Sequence, residues 1–472
     1  MTTLTATVRE EVAFDAPGRL EALCDPGSFR ALRSGVLSDR LGPKARAGDG
    51  VVAGAGEVSG RPVFCYAQDP SFMGGSLGEA HADSIVRVMQ LAGRAGAPVI
   101  GFVESGGARL QDGHAGLAGY GRIFRTSVEL ASRVPQISVV TGVSAGGGSY
   151  SPALTDFVLM TQAARMFLTG PRVVREALGE EVSMEALGGP RVHDGNGVCQ
   201  LVADSEAEAT RMVRELLGVL PQGIGERPVL ADPVPPTGHD PGAPVPAEPR
   251  RVYDVREVLA AIVDDGRLLE ISTRWAANMV TGLARLEGRP VGIVANQPRR
   301  IGGVIDADAS EKAARFVRLC DRFGLPLVVL VDTPGFMPGM RQESAGVIRH
   351  GAELLRAFAG ASVPRLTVVL RKAYGGAVIT MNSKDLGADV VFAWPGAEIG
   401  IMAANQAVGI VHRRRLREAS DPYAIGADLA AAYAEEHLTA SAAAASGFID
   451  EVIEPMETRE RLAWALASLE RR

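Results

Sequence analysis

The chain has 472 residues, 46% of them apolar and 22% charged, a soluble globular balance too long for one ordinary core, so two domains are expected. Its net charge is −6 with acids and bases interspersed, which argues against a dedicated nucleic-acid or membrane surface. The four cysteines (Cys24, Cys65, Cys199, Cys320) are isolated and show neither metal-ligand nor CxxC spacing, so no zinc site or disulfide framework is expected, and a reducing cytoplasm fits.

The opening stretch MTTLTATVREEVAF lacks an apolar core flanked by basic residues and does not read as a signal peptide. No run of about eighteen apolar residues follows, so no membrane span is expected. RPVFCYAQ, from Arg61, is β-branched and aromatic, hence a strand, and a Gly-Gly loop follows it. GEAHADSIVRVMQLAGRAG then carries Ile85, Val86, Val88, Met89 and Ala92 as a helical stripe. VIGFV, after Pro98, is a continuous apolar strand ending in ESGGAR. YGRIFRTSVELASR is a second helix, and QISVVTGV a second buried strand that runs into TGVSAGGGSY. Alternation of apolar strands with helices predicts an α/β fold with a parallel sheet covered by helices.

The stretch from Leu220 to Pro249 is dense in proline and glycine and reads as a linker, giving domains at residues 1–219 and 250–472 around a 220–249 connection. Across it the chain resembles itself. GRPV recurs at Gly60 and Gly288, an offset of 228. The same offset carries MGGSL onto IGGVI, Glu104 onto Asp332, and the Gly147–Gly148 pair onto Gly375–Gly376. Pro135 matches Pro364 better at 229, so transfers between halves hold to within one residue.

Both glycine turns of each half lie between the end of a strand and the start of a helix, where αβ sheets bind ligands. Unpaired N–H groups at such turns, with no Cβ in the way, can converge on one oxygen. A phosphate loop would need G-x-x-x-x-G-K-[ST], which is absent. Gly142, Ser144 and Gly146 do spell the G-x-S-x-G of a serine hydrolase. Downstream, however, none of His193, His350, His412 and His437 follows a carboxylate cue, and at the 228 offset Ser144 falls on Lys372. Glycines that serve only tight helix–sheet packing are the bland alternative. Two oxyanion cradles are the preferred reading.

In the first half, DPGSF, GGSLGEAH, ESGGARLQDG, YSPALTDF and FLTGP resemble the carboxyltransferase (β) subunit of acyl-CoA carboxylases, the propionyl-/acetyl-CoA carboxylase β-chain family. So do DASEKAARFVRLCD, DTPGF, IRHGAELL, RKAYGGA and GADVVFAWPGAEIGIM in the second half. The resemblance implies tandem duplicated crotonase-like (ClpP/crotonase) ββα-spiral domains, the first on the CoA side and the second on the biotin side. It implies transfer of a carboxyl group from carboxybiotin, held on a separate carrier, to the α-carbon of a short or medium acyl-CoA. It further implies a cytoplasmic homo-hexamer built from dimers, a biotin carboxylase/biotin carboxyl carrier (α) subunit as partner, room for a small extra subunit, and no metal.

Carried over by residue, the resemblance implies one oxyanion hole from Gly146 and Gly147 for the thioester and a second from Gly376 and Ala377 for biotin. Gly106, Gly107, Ala108 and Arg109 would shape the substrate wall, and Tyr374, Gly375 and Ile379 the second pocket. Arg109, Arg371 and Lys372 either neutralise CoA phosphates or a carboxylate, or pair with Glu104 or Asp332. No side chain need act as base, since biotin's ureido nitrogen can take the α-proton. This chain has no MKM biotinylation sequence and no ATP-grasp-like stretch, so biotin and its carboxylase are expected in trans.

Departures bear on specificity. The usual AYGGAYDVM reads AYGGAVITM, placing Val378 and Ile379 where the family has tyrosine and aspartate, which favours an altered acyl pocket. NGVCQ (Asn196–Gln200) loses a histidine, and LTAS (Leu438–Ser441) replaces NPY. Carboxyl removal, by a decarboxylase or transcarboxylase, and a non-catalytic scaffold within a carboxylase complex are the alternatives.

Overall fold

The repeated GRPV marks the turn of a β-hairpin in each half. Ser59 and Gly60 have φ of 52° and 72°, and Glu287 and Gly288 have 50° and 75°, the paired positive angles of a two-residue hairpin loop. The computed structural model describes residues 14–469 apart from 249, and the chain divides into two compact units, one ending at Glu226 and the next beginning at Arg227.

The first unit carries β1 (Arg30–Leu32), β2 (Val51–Val58), β3 (Arg61–Gln68), β4 (Val99–Ser105), β5 (Gln136–Ala145), β6 (Phe157–Thr161), β7 (Arg165–Phe167) and β8 (Leu201–Ala203). Its sheet runs β1-β2-β3-β4-β5-β6-β8, with β7 beside the end of β5. β1 to β3 pair antiparallel and all later neighbours parallel. The expected parallel sheet is therefore extended by an antiparallel edge, whose strand VVAGAGEV is too rich in small residues to announce itself. The second unit repeats the order with β9 (Leu269–Glu270), β10 (Met279–Leu286), β11 (Arg289–Asn296), β12 (Leu327–Thr333), β13 (Arg365–Tyr374), β14 (Val390–Ala393), β15 (Glu398–Gly400) and β16 (Glu451–Val452).

Helices α1 (Glu79–Ala95), α2 (His114–Leu130) and α3 (Gly147–Ala153) belong to the first unit, and α4 (Ala307–Arg322), α5 (Val347–Gly360) and α6 (Gly376–Thr380) to the second. The stripe Ile85, Val86, Val88, Met89 and Ala92 of α1 is buried, each fully covered large side chain contributing about 1.5–3 kcal/mol. No described helix is long and apolar enough to cross a membrane. The four cysteines are buried free thiols.

The duplication extends to single hydrogen bonds. Gln68 Oε1 accepts from the Glu104 amide at 3.1 Å, and Asn296 Oδ1 from the Asp332 amide at 3.2 Å, both pairs shifted by 228. Leu77 N donates to Gly107 O, and Ile305 N to Gly335 O. Beyond the β4–α2 connection the offset becomes 229: Ser105 pairs with Ser144, but Thr333 pairs with Ala373. The counterpart of Ser144 is thus Ala373, not Lys372. Gly146, Gly147 and Gly148 correspond to Gly375, Gly376 and Ala377.

Among its described residues the Pro-rich segment forms no helix or strand, and from Arg227 onward it is strapped along the second unit. Ala231 N donates to Gly288 O at 3.0 Å, Asp265 N to Pro235 O at 3.1 Å, and Gly238 N to Ala260 O at 3.0 Å. Prolines remove donors but leave carbonyls, and basic side chains collect them: Arg285 bonds Val229 O, and Arg371 bonds Pro246, Glu248 and Arg251 carbonyls.

Candidate active site

In the first unit β5 ends at Ala145 and α3 begins at Gly147. Gly146 joins them at φ 58°, ψ −123°, a conformation that a side chain would strain. Its amide donates to Phe167 O at 3.1 Å. The expected donor pair Gly146/Gly147 is therefore moved by one residue, because the Gly146 N–H is already bonded. The amides of Gly147 and Gly148, in the first turn of α3, have no acceptor among the described residues. Gly147 is seated on a buried aromatic: a Cβ there would lie 2.7 Å from the Tyr120 ring. Ser144 is fully buried, and its Oγ donates to Gly148 O at 2.8 Å.

The first glycine loop approaches this turn from β4. A Cβ on Gly107 would lie 3.5 Å from Ala145 O, and one on Gly106 3.2 Å from Gly74 O. Their own amides are committed, to Gly74 O and Ser105 Oγ, and Ala108 bridges to Leu77. Arg109 departs from expectation. It is 1% exposed, its Nη1 lies 2.6 Å from Asp49 Oδ1, and its Nη2 donates to the carbonyls of Asp49 and Ser76. A guanidinium closed in this way ties two loops together and has no face for CoA phosphates. Glu104 pairs instead with Arg19 at 2.9 Å. His81, behind Arg109, is fully buried against Gln68, and burial, then the Arg109 charge, brings its pKa down to about 3.

The second unit repeats the turn with a cavity in front of it. Gly375 has φ 64°, ψ −149° and donates to Gly400 O at 2.9 Å, while the amides of Gly376 and Ala377 have no acceptor among the described residues. A Cβ on Gly376 would meet nothing within 4 Å. The turn opens on a cavity of about 610 Å³ whose floor is Ile399 and Gly400 and whose wall includes Ile379 and Phe448. Ile379 is half exposed and is one of its lining residues. Tyr374 is not part of that lining. Its ring is buried and its hydroxyl donates to the Glu398 carboxylate.

Arg371 and Lys372 both face Asp332, at 3.1 and 3.9 Å. Burial pushes the Asp332 carboxyl up while the two cations pull it down, and burial lowers the Lys372 ammonium. Arg371 is spent on Asp332 and the strap carbonyls. His350 lies 3.4 Å from Glu311. The reading from residues missed the far wall of the cavity, which comes from α7 (Pro422–His437), α8 (Ala440–Ala445) and the residues after it, including His437 and Ser446. The one signal there was LTAS, which spans the junction of these two helices. Among the described residues no group of three or more His, Cys, Asp or Glu side chains is arranged to hold a metal ion.

Each turn thus presents two N–H donors without an acceptor among the described residues, and one donor aimed at an oxygen that gains negative charge is worth about 2.7–4 kcal/mol of transition-state stabilisation. Residues 14–472 match the carboxyl transferase domain family. The chain is 45% identical over 462 residues to the methylmalonyl-CoA carboxyltransferase 12S subunit of Propionibacterium freudenreichii subsp. shermanii, covering 95% of this chain and 87% of that one. It is 45% identical over 475 residues to the propionyl-CoA carboxylase carboxyltransferase subunit of Haloferax mediterranei, covering 97% and 90%. A crystal structure of the transcarboxylase 12S hexamer assembly, with methylmalonyl-coenzyme A and methylmalonic acid bound, superposes with a TM-score of 0.93 at 45% identity, covering 97% of this chain and 90% of that one.

Proposed function

The chain belongs to the carboxyl transferase domain family, and from that premise we propose that its two glycine turns hold the two carbonyl oxygens of a carboxyl transfer. The fold is the tandem crotonase-like pair, and the activity is biotin-dependent acyl-CoA carboxyl transfer. In this reading the amides of Gly147 and Gly148 hold the acyl thioester oxygen, and those of Gly376 and Ala377 the ureido oxygen of biotin.

The observation that carries it is the recurrence, at matching positions, of two N–H donors without acceptors, the second pair opening on an apolar cavity. That cavity suits biotin: Gly376 leaves open space where a Cβ would stand, and the floor and walls are largely aliphatic. Bound there, carboxybiotin supplies the carboxyl group and a nitrogen able to accept the α-proton. The chain's own part is to hold the thioester oxygen as the α-carbon becomes an enolate, and to keep water off it. Ile379 makes the cavity wall apolar where the family has an acid, which favours a relaxed choice among short and medium acyl groups. A biotin carboxylase–carrier subunit in trans and a hexameric assembly complete the proposal, the latter by likeness to the 12S hexamer.

The likeness to the 12S subunit also favours a second direction, carboxyl removal from an acyl-CoA, for which the same amides serve. Retention of both donor pairs argues against a non-catalytic scaffold. Pairing the purified protein with a biotin carboxylase–carrier subunit, ATP, bicarbonate and an acyl-CoA panel should yield carboxylated product. Absence of turnover with every acyl-CoA, beside a partner shown to be competent, overturns the proposal.

A further inference from the structure

We propose that Tyr374 and Glu398 are positioning residues for the second donor pair, fixing the aim of the Gly376 and Ala377 N–H groups through a partly buried phenol–carboxylate hydrogen bond that the first unit lacks. The inference rests on the functional reading above.

Tyr374 is the last residue of β13, two positions before Gly376, and its hydroxyl donates to the Glu398 carboxylate. Glu398 opens β15, which runs parallel to the end of β13 with Lys372 opposite Glu398 and Tyr374 opposite Gly400. The Gly375 amide donates to Gly400 O at 2.9 Å, and Ile399 N to Leu438 O at 2.8 Å, while Thr439 bridges back to Glu398. One side-chain bond therefore joins the strand that launches the turn to the strand that floors the cavity and to the segment entering its wall. Burial, and then Glu398, push the phenol's pKa up, so Tyr374 remains a donor across the neutral range.

The shared fold does not require this pair. At the matching place in the first unit stands Ala145, and Val143 with Arg165 takes the place of Lys372 with Glu398. That turn is braced by serines instead: Ser149 Oγ donates to the carbonyls of Ser144 and Phe167, and Ser144 Oγ to Gly148 O. The phenol–carboxylate bond thus distinguishes the turn that faces the cavity. Donors misplaced by about 1 Å can cost about 100-fold in rate, so a brace two residues behind them has kinetic leverage.

The test compares Tyr374→Phe and Glu398→Gln with the wild type, measuring kcat and KM for acyl-CoA with a biotinylated carrier, and the urea unfolding midpoint. Tyr374→Phe is expected to lower kcat about 10- to 100-fold while KM for acyl-CoA stays within about twofold, because the thioester is held by the other donor pair. Glu398→Gln keeps an acceptor for the phenol and is expected to retain most of kcat. If Tyr374→Phe does not fold, Glu398→Ala carries the same expectation. A Tyr374→Phe enzyme with wild-type kcat overturns the inference and leaves the functional reading standing. So does a kcat loss matched by an equal loss of folded protein. A wild type inactive with every acyl-CoA overturns both.

Discussion

The Ser144 hydroxyl donates its proton to the carbonyl of Gly148 across 2.8 Å, within a fully buried side chain. A serine nucleophile needs a base to take that proton and an open face toward substrate. Here the proton is committed to the backbone of the turn itself, and the matching position of the second unit is Ala373. Ser144→Ala should keep kcat/KM within about fivefold and lower stability by about 0.5–1.5 kcal/mol, the usual worth of one internal hydrogen bond. An acyl-CoA assay with urea unfolding checks both, and a folded but inactive variant would restore the hydrolase reading.

The two donor turns separate fold from chemistry. A side chain at Gly147 would run into the Tyr120 ring at 2.7 Å, whereas one at Gly376 meets nothing within 4 Å. Gly147→Val should therefore lose about 1–3 kcal/mol of stability, as overpacked sites do. Gly376→Val should unfold at the wild-type midpoint yet lose about 100- to 1,000-fold in kcat, since its side chain fills the space before the donors. Thermal melts beside steady-state rates show whether the two losses divide in this way.

The sequence reading of strands β3 to β5 and helices α1 and α2 succeeds because each has one dominant period, and the repeat of GRPV already contains both hairpin turns. It places the donors one residue early in the first unit because nothing local shows that the Gly146 amide is already bonded to Phe167 O, on a strand that only the sheet topology brings alongside. Arg109 follows a glycine loop in sequence just as a phosphate-binding arginine would. Only its pairing with Asp49, sixty positions earlier, shows that its charge is enclosed. The cavity's far wall lies more than fifty positions beyond AYGGA, and no spacing rule connects them. Local pattern is legible where one element decides it; partners brought together by topology are not.

His81 gives a pH dependence whose sign follows from burial. Its folded pKa is about 3 against an ordinary 6.5, lowered by burial and then by Arg109. As pH falls through 6.5 the unfolded ring takes a proton and the folded ring does not. The unfolded state therefore binds more protons between those values, and stability is lost as pH falls. The slope approaches about 1.4 kcal/mol per pH unit. His81→Met should flatten that slope, so its deficit at pH 7 should shrink or reverse at pH 5. Urea unfolding at the two pH values measures the difference, and parallel losses for wild type and variant would contradict it.

Arg371 is expected to govern the Pro-rich strap. Its Nε lies 3.1 Å from the Asp332 carboxylate, and its Nη1 donates to the carbonyls of Pro246, Glu248 and Arg251, so one buried cation neutralises an acid and gathers a segment poor in donors. Removing it leaves Asp332 with Lys372, at 3.9 Å, as its remaining cation among the described residues, beside the Tyr253 phenol, and leaves three carbonyls short of a donor. Breaking a buried pair from one side commonly costs about 3–5 kcal/mol. Arg371→Met retains the stem's bulk and should incur that cost, with early proteolytic cleavage within residues 244–251. Arg371→Met/Asp332→Asn removes both charges and should recover part of the stability, because the acid no longer sits buried and under-compensated. Limited proteolysis followed by mass spectrometry locates the cleavage. A variant that loses stability without opening the strap would assign Arg371 to Asp332 alone.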